Sequence, residues 1–480
     1  MPLPDASRLS SLDSTVLRDL GRRLRRIGVD SARVAEIAAI GASRDALLRL
    51  PIRKWHLRRM REPSAHALRM LMFGDPVTRD EAREALGELV EPLVASGFVV
   101  EEAGGLVSPF FLGVADQVYV FADHLTHGGD AAMGLGETTI DLCHAARPTR
   151  RAGRVLDMGC GAGTAALVCA AHCDRVIGVD VNPRATDLAR LNQRLNDIDN
   201  AEFRVGDLFA PVAGETFDLV VSQPPFISRP DGVDAAVYAY GGERGDEFPL
   251  RMLRELPDHL SERGRAVLLV DWPVLSASSE PIESRVRAAV GDRANVLVLE
   301  TPEGDVDDWS TGFAAAHHPT LGPGFEREVM VRREHFARLG VRGLCMTTVV
   351  LERTTGAPWT STVKARSLGA VSLTAEQLDH LVAARDLAAD GPEALLDATL
   401  RIPAGTEFSR DGGHVLVTLP DRSLIEPIVV NEQLVDLLRR VDQADCVRTA
   451  VDRHRRGDAR AKERIDATRQ ALLLGLLERV

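Results

Sequence analysis

Apolar positions recur at helical spacing over the first hundred residues and then shift to the shorter beat of strands. Leu17, Leu20, Leu24 and Ile27 keep the 3.6-residue period of a helix buried along one face, and Val34, Ile37, Ala38 and Leu47 to Leu50 predict two more short helices. Three further helices are expected at 66–72, 78–86 and 91–98, running into strands at 99–107 and 117–122 around a Gly104-Gly105 turn. Between 126 and 354 short apolar runs alternate with helical patterns. The runs lie at 155–158, 176–180, 203–207, 217–222, 265–272, 295–300 and 344–351, with helices starting near Thr164 and spanning 246–262 and 283–290. That alternation predicts an α/β domain, a doubly wound and mostly parallel sheet of seven strands with helices on both faces. The pattern lapses at Thr354-Thr-Gly-Ala-Pro-Trp359, a predicted boundary. Beyond it helices are expected at 374–388, 431–441, 446–455 and 465–477, with strands at 399–402 and 414–419. Three domains follow, at 1–125, 126–354 and 355–480, which suits 480 residues at about 150 per domain.

Helices running into a small β element at 66–122 resemble a winged helix, and the strands and short helices after 363 resemble a second one. Such modules bind DNA in regulators, whereas attached to enzymes they more often pack, dimerise or cover a pocket. Composition favours the latter. Acidic residues number 70 against 58 basic, a net charge of −12, which argues against a uniformly basic nucleic-acid binder. The balance is uneven, because residues 1–70 hold 15 Lys and Arg against 7 Asp and Glu. Arg22, Arg23, Arg25, Arg26, Arg53, Lys54, Arg58, Arg59 and Arg61 belong to this stretch and are expected on the solvated faces of amphipathic helices; a phosphate-contacting patch is the alternative. The six cysteines, at 143, 160, 169, 173, 345 and 446, lack paired C-x-x-C spacing and read as small buried residues in a reducing compartment. Cys169 with Cys173, or His124 with His127, stands one helical turn apart, but with no second pair neither predicts a metal site. No basic and apolar leader opens the chain at Met1-Pro-Leu-Pro-Asp5, and no apolar run reaches the roughly 18 residues of a membrane span. A soluble cytoplasmic protein is expected, with a homodimer as one option for its assembly.

Candidate chemistry gathers at the ends of the central strands. Val155-Leu-Asp-Met-Gly-Cys-Gly-Ala-Gly163 reads as a strand, a tight turn and a helix start, its alternating glycines clearing space where backbone passes a ligand. Asp180 and Asp207 end the next two runs, and Gln223-Pro-Pro-Phe226 ends the fourth. By the crossover rule a ligand should lie across the carboxyl ends of the first and fourth strands, where the strand order reverses.

In this order the four motifs resemble one family, the class I S-adenosylmethionine (SAM)-dependent methyltransferases, over about 210 residues from near Gly134 to Arg353. A nicotinamide Rossmann domain also has glycines after its first strand, but its third glycine falls one position later than here, and it does not predict a Pro-Pro-aromatic turn. The resemblance implies Gly159, Gly161 and Gly163 under the methionine part of SAM, with Asp157 near its amino group and backbone N–H groups on its carboxylate. It implies Asp180 on the ribose hydroxyls, Asp207 on the adenine amino group, Leu208 and Phe209 along the ring, and Thr138 or Thr139 near the cofactor carboxylate.

Gln223-Pro-Pro-Phe226 is similar to the Asn/Asp/Ser-Pro-Pro-aromatic signature of enzymes that methylate planar nitrogen in amino bases or glutamine amides. There the side-chain oxygen and the first proline's carbonyl accept hydrogen bonds from the NH₂ while the aromatic stacks on its plane, which implies Gln223, Pro224 and Phe226 as catalytic residues. Glutamine is a departure, since one added bond moves its acceptor by roughly 1.5 Å. Tyr240-Gly-Gly-Glu-Arg-Gly-Asp246 resembles the loop that follows this motif in the glutamine and small-domain methyltransferases, and Asp246 is read as a helix cap. Tyr238, Tyr240 and Trp272 are candidate substrate walls. The expected function is SAM-dependent methyl transfer to a nitrogen, or else an oxygen, of a small metabolite. An rRNA base or a protein glutamine is the alternative acceptor, and a SAM-binding scaffold without turnover is a third reading.

Overall fold

The computed structural model describes residues 12–40, 46–102, 104–124, 129–233, 237–276, 280–318, 321–365, 373–419, 427–451 and 459–480. His127 and the later part of the helix expected at 446–455 lie outside them.

The chain begins with helices α1 (Ser14–Arg26), α2 (Ser31–Ala38) and α3 (Ala46–Leu57). Then come α4 (Pro63–Leu71), α5 (Arg79–Leu86) and α6 (Val90–Ala95), and the antiparallel hairpin β1 (Val100–Glu102) and β2 (Gly105–Val107), to which Val77 adds a bridge at Leu106. Thr78 and Glu81 form a reciprocal capping box that starts α5. A second hairpin, β3 (Phe111–Ala115) and β4 (Val118–Ala122), leads to α7 (Glu137–Ala146).

The central sheet follows. Its parallel strands are β5 (Ala152–Met158), β6 (Cys173–Asp180), β7 (Ala201–Val205) and β8 (Phe217–Ser222), with α8 (Thr164–Ala170) and α9 (Pro183–Leu195) as crossovers. A short parallel pair, β9 (Ile227–Ser228) with β10 (Tyr240–Gly242), precedes α10 (Glu247–Glu255). Then come β11 (Leu260–Leu275), α11 (Ile282–Val290), β12 (Ala294–Glu300) and β13 (Gly304–Asp305). A helical hairpin, α12 (Val306–His317) and α13 (Pro323–Leu339), enters before β14 (Val341–Arg353) and β15 (Thr360–Lys364). The strand order is β15-β12-β14-β11-β8-β5-β6-β7, and β14 runs antiparallel to both of its neighbours. The order reverses between β5 and β8, which opens a crevice at their carboxyl ends.

Three expectations are corrected. The helix expected at 246–262 stops at Glu255; a 3₁₀ turn containing Pro257 ends it, and β11 starts at Leu260. The lapse at Thr354 is a turn within the sheet, because β15 pairs in parallel with β12. Helix α14 (Ala375–Ala389) then packs Leu378, Leu381 and Val382 against Val267, Leu297 and Leu299, so the chain after 355 covers one face of the sheet. Residue 125 is likewise no clean divide. Leu17, Leu24, Phe98 and Phe121 share one core with Leu188, Leu191 and Leu195 of α9.

Polar ties reinforce that junction. Asn192 accepts from Phe121 N at 2.8 Å and donates to Phe121 O at 2.8 Å, and Asn196 does the same with Tyr119 at 2.9 and 2.7 Å. The two amides supply hydrogen bonds that a neighbouring strand would otherwise give to β4. The early arginines are not simply solvated: Arg23 donates to Ala85 O and Glu84 O, each at 2.7 Å, and Arg18 pairs with Asp197.

After α14 come a short helix (Pro392–Asp397), a three-stranded antiparallel sheet (Glu407–Asp411, His414–Thr418, Ile428–Val430) and helices Glu432–Asp442, Val447–Val451 and Ala459–Leu473 around their own core.

Candidate functional site

The turn after β5 is shaped by backbone that only glycine adopts easily. Gly159 and Gly161 have φ of +73° and +52°; a β-carbon at Gly161 would stand 2.6 Å from Met133 O, whereas at Gly159 it would meet nothing and project into open space. Gly163 plays a different part, its α-carbon packed where a β-carbon would press on Ala189 and the Phe203 ring. The expectation of free backbone donors in this turn is corrected. Gly159 and Cys160 N–H donate to Val179 O at 2.8 and 3.0 Å, Gly161 N–H to Asp180 Oδ2 at 2.9 Å, Ala162 N–H to Met133 O at 2.9 Å, and Gly163 N–H to Cys160 O at 2.8 Å. These glycines supply room rather than donors.

A cavity of about 250 Å³ lies over this turn, across the ends of β5, β6 and β8. Gly159, Gly161, Asp180, Asp207, Leu208, Gln223, Pro224, Tyr238 and Tyr240 line it, so the crossover rule brings these predicted residues together. Six others stand elsewhere. Asp157 is buried behind the turn, its Oδ2 accepting from Ala166 N–H at 2.8 Å, and burial pushes its carboxyl up to about 7. Gly163 is the packing glycine just described. Phe209 is buried and stacks on His259 at 4.3 Å, because the left-handed Leu208 (φ +44°) sends the two side chains different ways. Phe226 packs into the core beneath the loop. Trp272 is fully buried, with Nε1 donating to Thr347 Oγ1 at 2.9 Å. Thr138 meets Gln223 rather than the cavity: Gln223 Nε2 donates to Thr138 Oγ1 at 2.7 Å, and Thr139 Oγ1 donates to Gln223 Oε1 at 3.1 Å. Asp246 stands at the N-cap position of α10 but its side chain makes no cap bond, since its buried carboxylate takes Arg244 at 2.7 Å and Arg285 at 2.8 Å.

Sequence reasoning missed Met133, Val181, Asn182, Pro225 and Phe248 in the lining. Phe248 could have been found, as it follows the Gly-Gly loop; Met133 carried no signal, since it reaches the site only through the bend held by its carbonyl.

The electrostatics discriminate between cofactors. Asp180 spans the site, Oδ2 on Gly161 N–H and Oδ1 on Asn182 N–H at 2.9 Å, with lone pairs to spare for hydroxyl donors. Burial pushes its carboxyl up. Asp207 holds Arg251 at 2.6 Å and is half-exposed. The lining has two carboxylates and no Lys or Arg. With the N–H groups of residues 159–163 engaged and no Lys or Arg in its lining, such a site suits a cation carrying ribose hydroxyls better than the pyrophosphate of a dinucleotide. Met158, Val179, Leu208 and Phe248 supply apolar walls for a planar base. These residues fit SAM.

Residues 141–239 match the family model of the methyltransferase small domain. Over residues 141–239 the chain is therefore similar to SAM-dependent methyltransferases, and the lining of the cavity fits SAM as cofactor. A release factor glutamine methyltransferase of Aliivibrio fischeri is 42% identical over 86 residues, 17% of this chain and 30% of its own. A ribosomal protein uL3 glutamine methyltransferase of Xanthomonas campestris is 35% identical over 127 residues, covering 24% and 41%. A ribosomal RNA small subunit methyltransferase C of Alcanivorax borkumensis is 33% identical over 112 residues, covering 23% and 30%. The chain spans 30% to 41% of the length of these curated relatives. Among the described residues no helix is long and apolar enough to cross a membrane, and no group of His, Cys, Asp and Glu could hold a metal ion.

Proposed function

We propose that the chain transfers the methyl group of SAM to a planar NH₂, the carboxamide nitrogen of a protein glutamine. The observation that carries this reading is the Gln223-Pro224-Pro225 segment on the wall of the cavity that contains the glycine turn and Asp180. When bound, SAM supplies an electrophilic methyl group on a good leaving group. The chain's own task is alignment in a water-poor site. Gln223 Oε1 keeps a second lone pair beside the one taken by Thr139, and it and the Pro224 carbonyl accept the two N–H bonds of the incoming amide. The two prolines restrict the backbone that presents these acceptors. Tyr240 and Phe248 take the flanking place expected of Phe226. Asp180 orients the ribose. No strong base among the lining residues is required.

The reading of a small metabolite as acceptor finds no support among the relatives named above, whose names specify glutamine in proteins or ribosomal RNA. Incubation with methyl-labelled SAM and ribosome-rich extract tests the acceptor. The expected outcome is label in polypeptide that digests to N5-methylglutamine; label in RNA, or only in metabolites, contradicts it.

A further inference from the structure

Residues 46–61 hold six Lys and Arg and no Asp or Glu, in a chain whose net charge is −12. They form α3 and the turn that follows it, and their cations differ from those nearby. Arg18, Arg22, Arg33 and Arg69 each pair with a carboxylate, as Arg58 does with Asp75. Among the described residues, no carboxylate stands within ion-pair distance of Arg49, Arg53, Lys54, Arg59 or Arg61. Arg53 donates to Ala38 O at 2.6 Å and Lys54 to Gly74 O at 3.4 Å, both neutral carbonyls, so each keeps its full charge.

The same segment exposes apolar surface. Ile52 is 40% and Trp55 46% exposed. Helical spacing sets Ile52, Trp55 and Arg59 on one face, and the bond from Arg58 N to Lys54 O at 3.0 Å carries the helical turn past Leu57. Arg59 Cζ lies 3.8 Å from the centre of the Trp55 ring, a guanidinium laid on an indole. This surface flanks the cavity wall. Burial and the Arg49 charge pull the Arg53 guanidinium down, and Glu137 is near enough to push it back up. Glu137 opens α7, whose next two residues hold Gln223.

Unpaired cations around an exposed indole define the chemistry of the partner. An acidic peptide satisfies the charges but leaves the flat stack unused. A duplex supplies phosphates, but its bases are already stacked on one another. Single-stranded RNA offers both phosphates for the cations and an unstacked base for the ring.

We propose that α3 and the turn after it form a docking surface for single-stranded RNA, with phosphates on Arg49, Arg53, Lys54 and Arg61 and one base on the Trp55–Arg59 stack. The surface goes beyond the methyl-transfer reading and holds whichever nitrogen accepts the methyl group.

Fluorescence anisotropy of the full chain with a labelled single-stranded RNA of about 12 nucleotides tests it. Affinity is expected to fall with added salt at a log–log slope of about −3, at roughly 0.7 for each of the four phosphates. Trp55→Ala should weaken binding about tenfold, and Arg61→Gln should reduce the slope by about 0.7. Both side chains are exposed, and affinity for the cofactor product S-adenosylhomocysteine (SAH) should stay within about twofold of the parent, which checks the fold of the variants. No binding of the RNA, or a slope near zero, overturns the surface. So does unchanged affinity in Trp55→Ala, or equally tight binding of polyglutamate or of a duplex RNA of the same length. Failure of the parent to bind SAH would count against the cofactor reading instead.

Discussion

A single backbone angle, the left-handed φ of Leu208, leaves that residue on the cavity while Phe209 packs on His259. Sequence tells which strand end carries an acid or an aromatic, but the direction of its side chain depends on turn geometry. Hence the shared cavity of Asp180, Asp207, Gln223 and Tyr240 was legible from the strand ends, whereas Phe226 and Trp272 face the core. Asp157 shows the same limit, as its carboxylate is used on Ala166 N–H. Asp271 was invisible from sequence altogether. It is 1% exposed on β11, its Oδ1 has no partner, and burial pushes its carboxyl up to about 8. The unfolded value is about 3.9. Between the two values the folded state holds a proton that the unfolded state releases. The stability linked to this group is therefore full below about pH 4 and lost as pH rises towards 8. Asp271→Asn removes that dependence and should gain on the parent by a few kcal/mol, in order of magnitude, from pH 4 to pH 8. Urea denaturation at a series of pH values checks this; a constant difference between parent and variant contradicts it.

At the scale of elements, the strands of the central sheet were legible because buried parallel strands are continuous apolar runs. The elements that were missed lack that signature. Helix α13 carries Glu326, Arg327, Glu328, Arg332, Arg333, Glu334 and Arg338, of which Glu328 and Arg332 are buried as an ion pair, which erases a clean apolar stripe. Strand β15, with Val363 as its buried apolar residue, sits at the sheet edge. Helix α9 is a crossover of the sheet, and its Asn192 also joins it to β4. Asn192→Ala would strip the buried Phe121 N–H, Phe121 O and Ala162 O of their partner. A loss of about 2–4 kcal/mol in unfolding free energy is expected. A change below about 0.5 kcal/mol would mean that the tie is dispensable.

Across the whole molecule, the three expected domains share cores instead of meeting at linkers. Helices before residue 125 and after residue 373 bury apolar side chains against the central domain, so its flanks are part of the fold that frames the site. Sequence could announce a change of pattern at Thr354 but not the pairing that carries the chain back to the sheet. The proposed function requires that the cavity over Gly159 and Gly161 take SAM with Asp180 on its ribose. Calorimetric titration of the full chain with SAH, beside Asp180→Ala, tests it most directly. One site per chain in the parent and at least a hundredfold weaker binding in the variant is the predicted result. No binding by the parent, or equal binding by both, would contradict it.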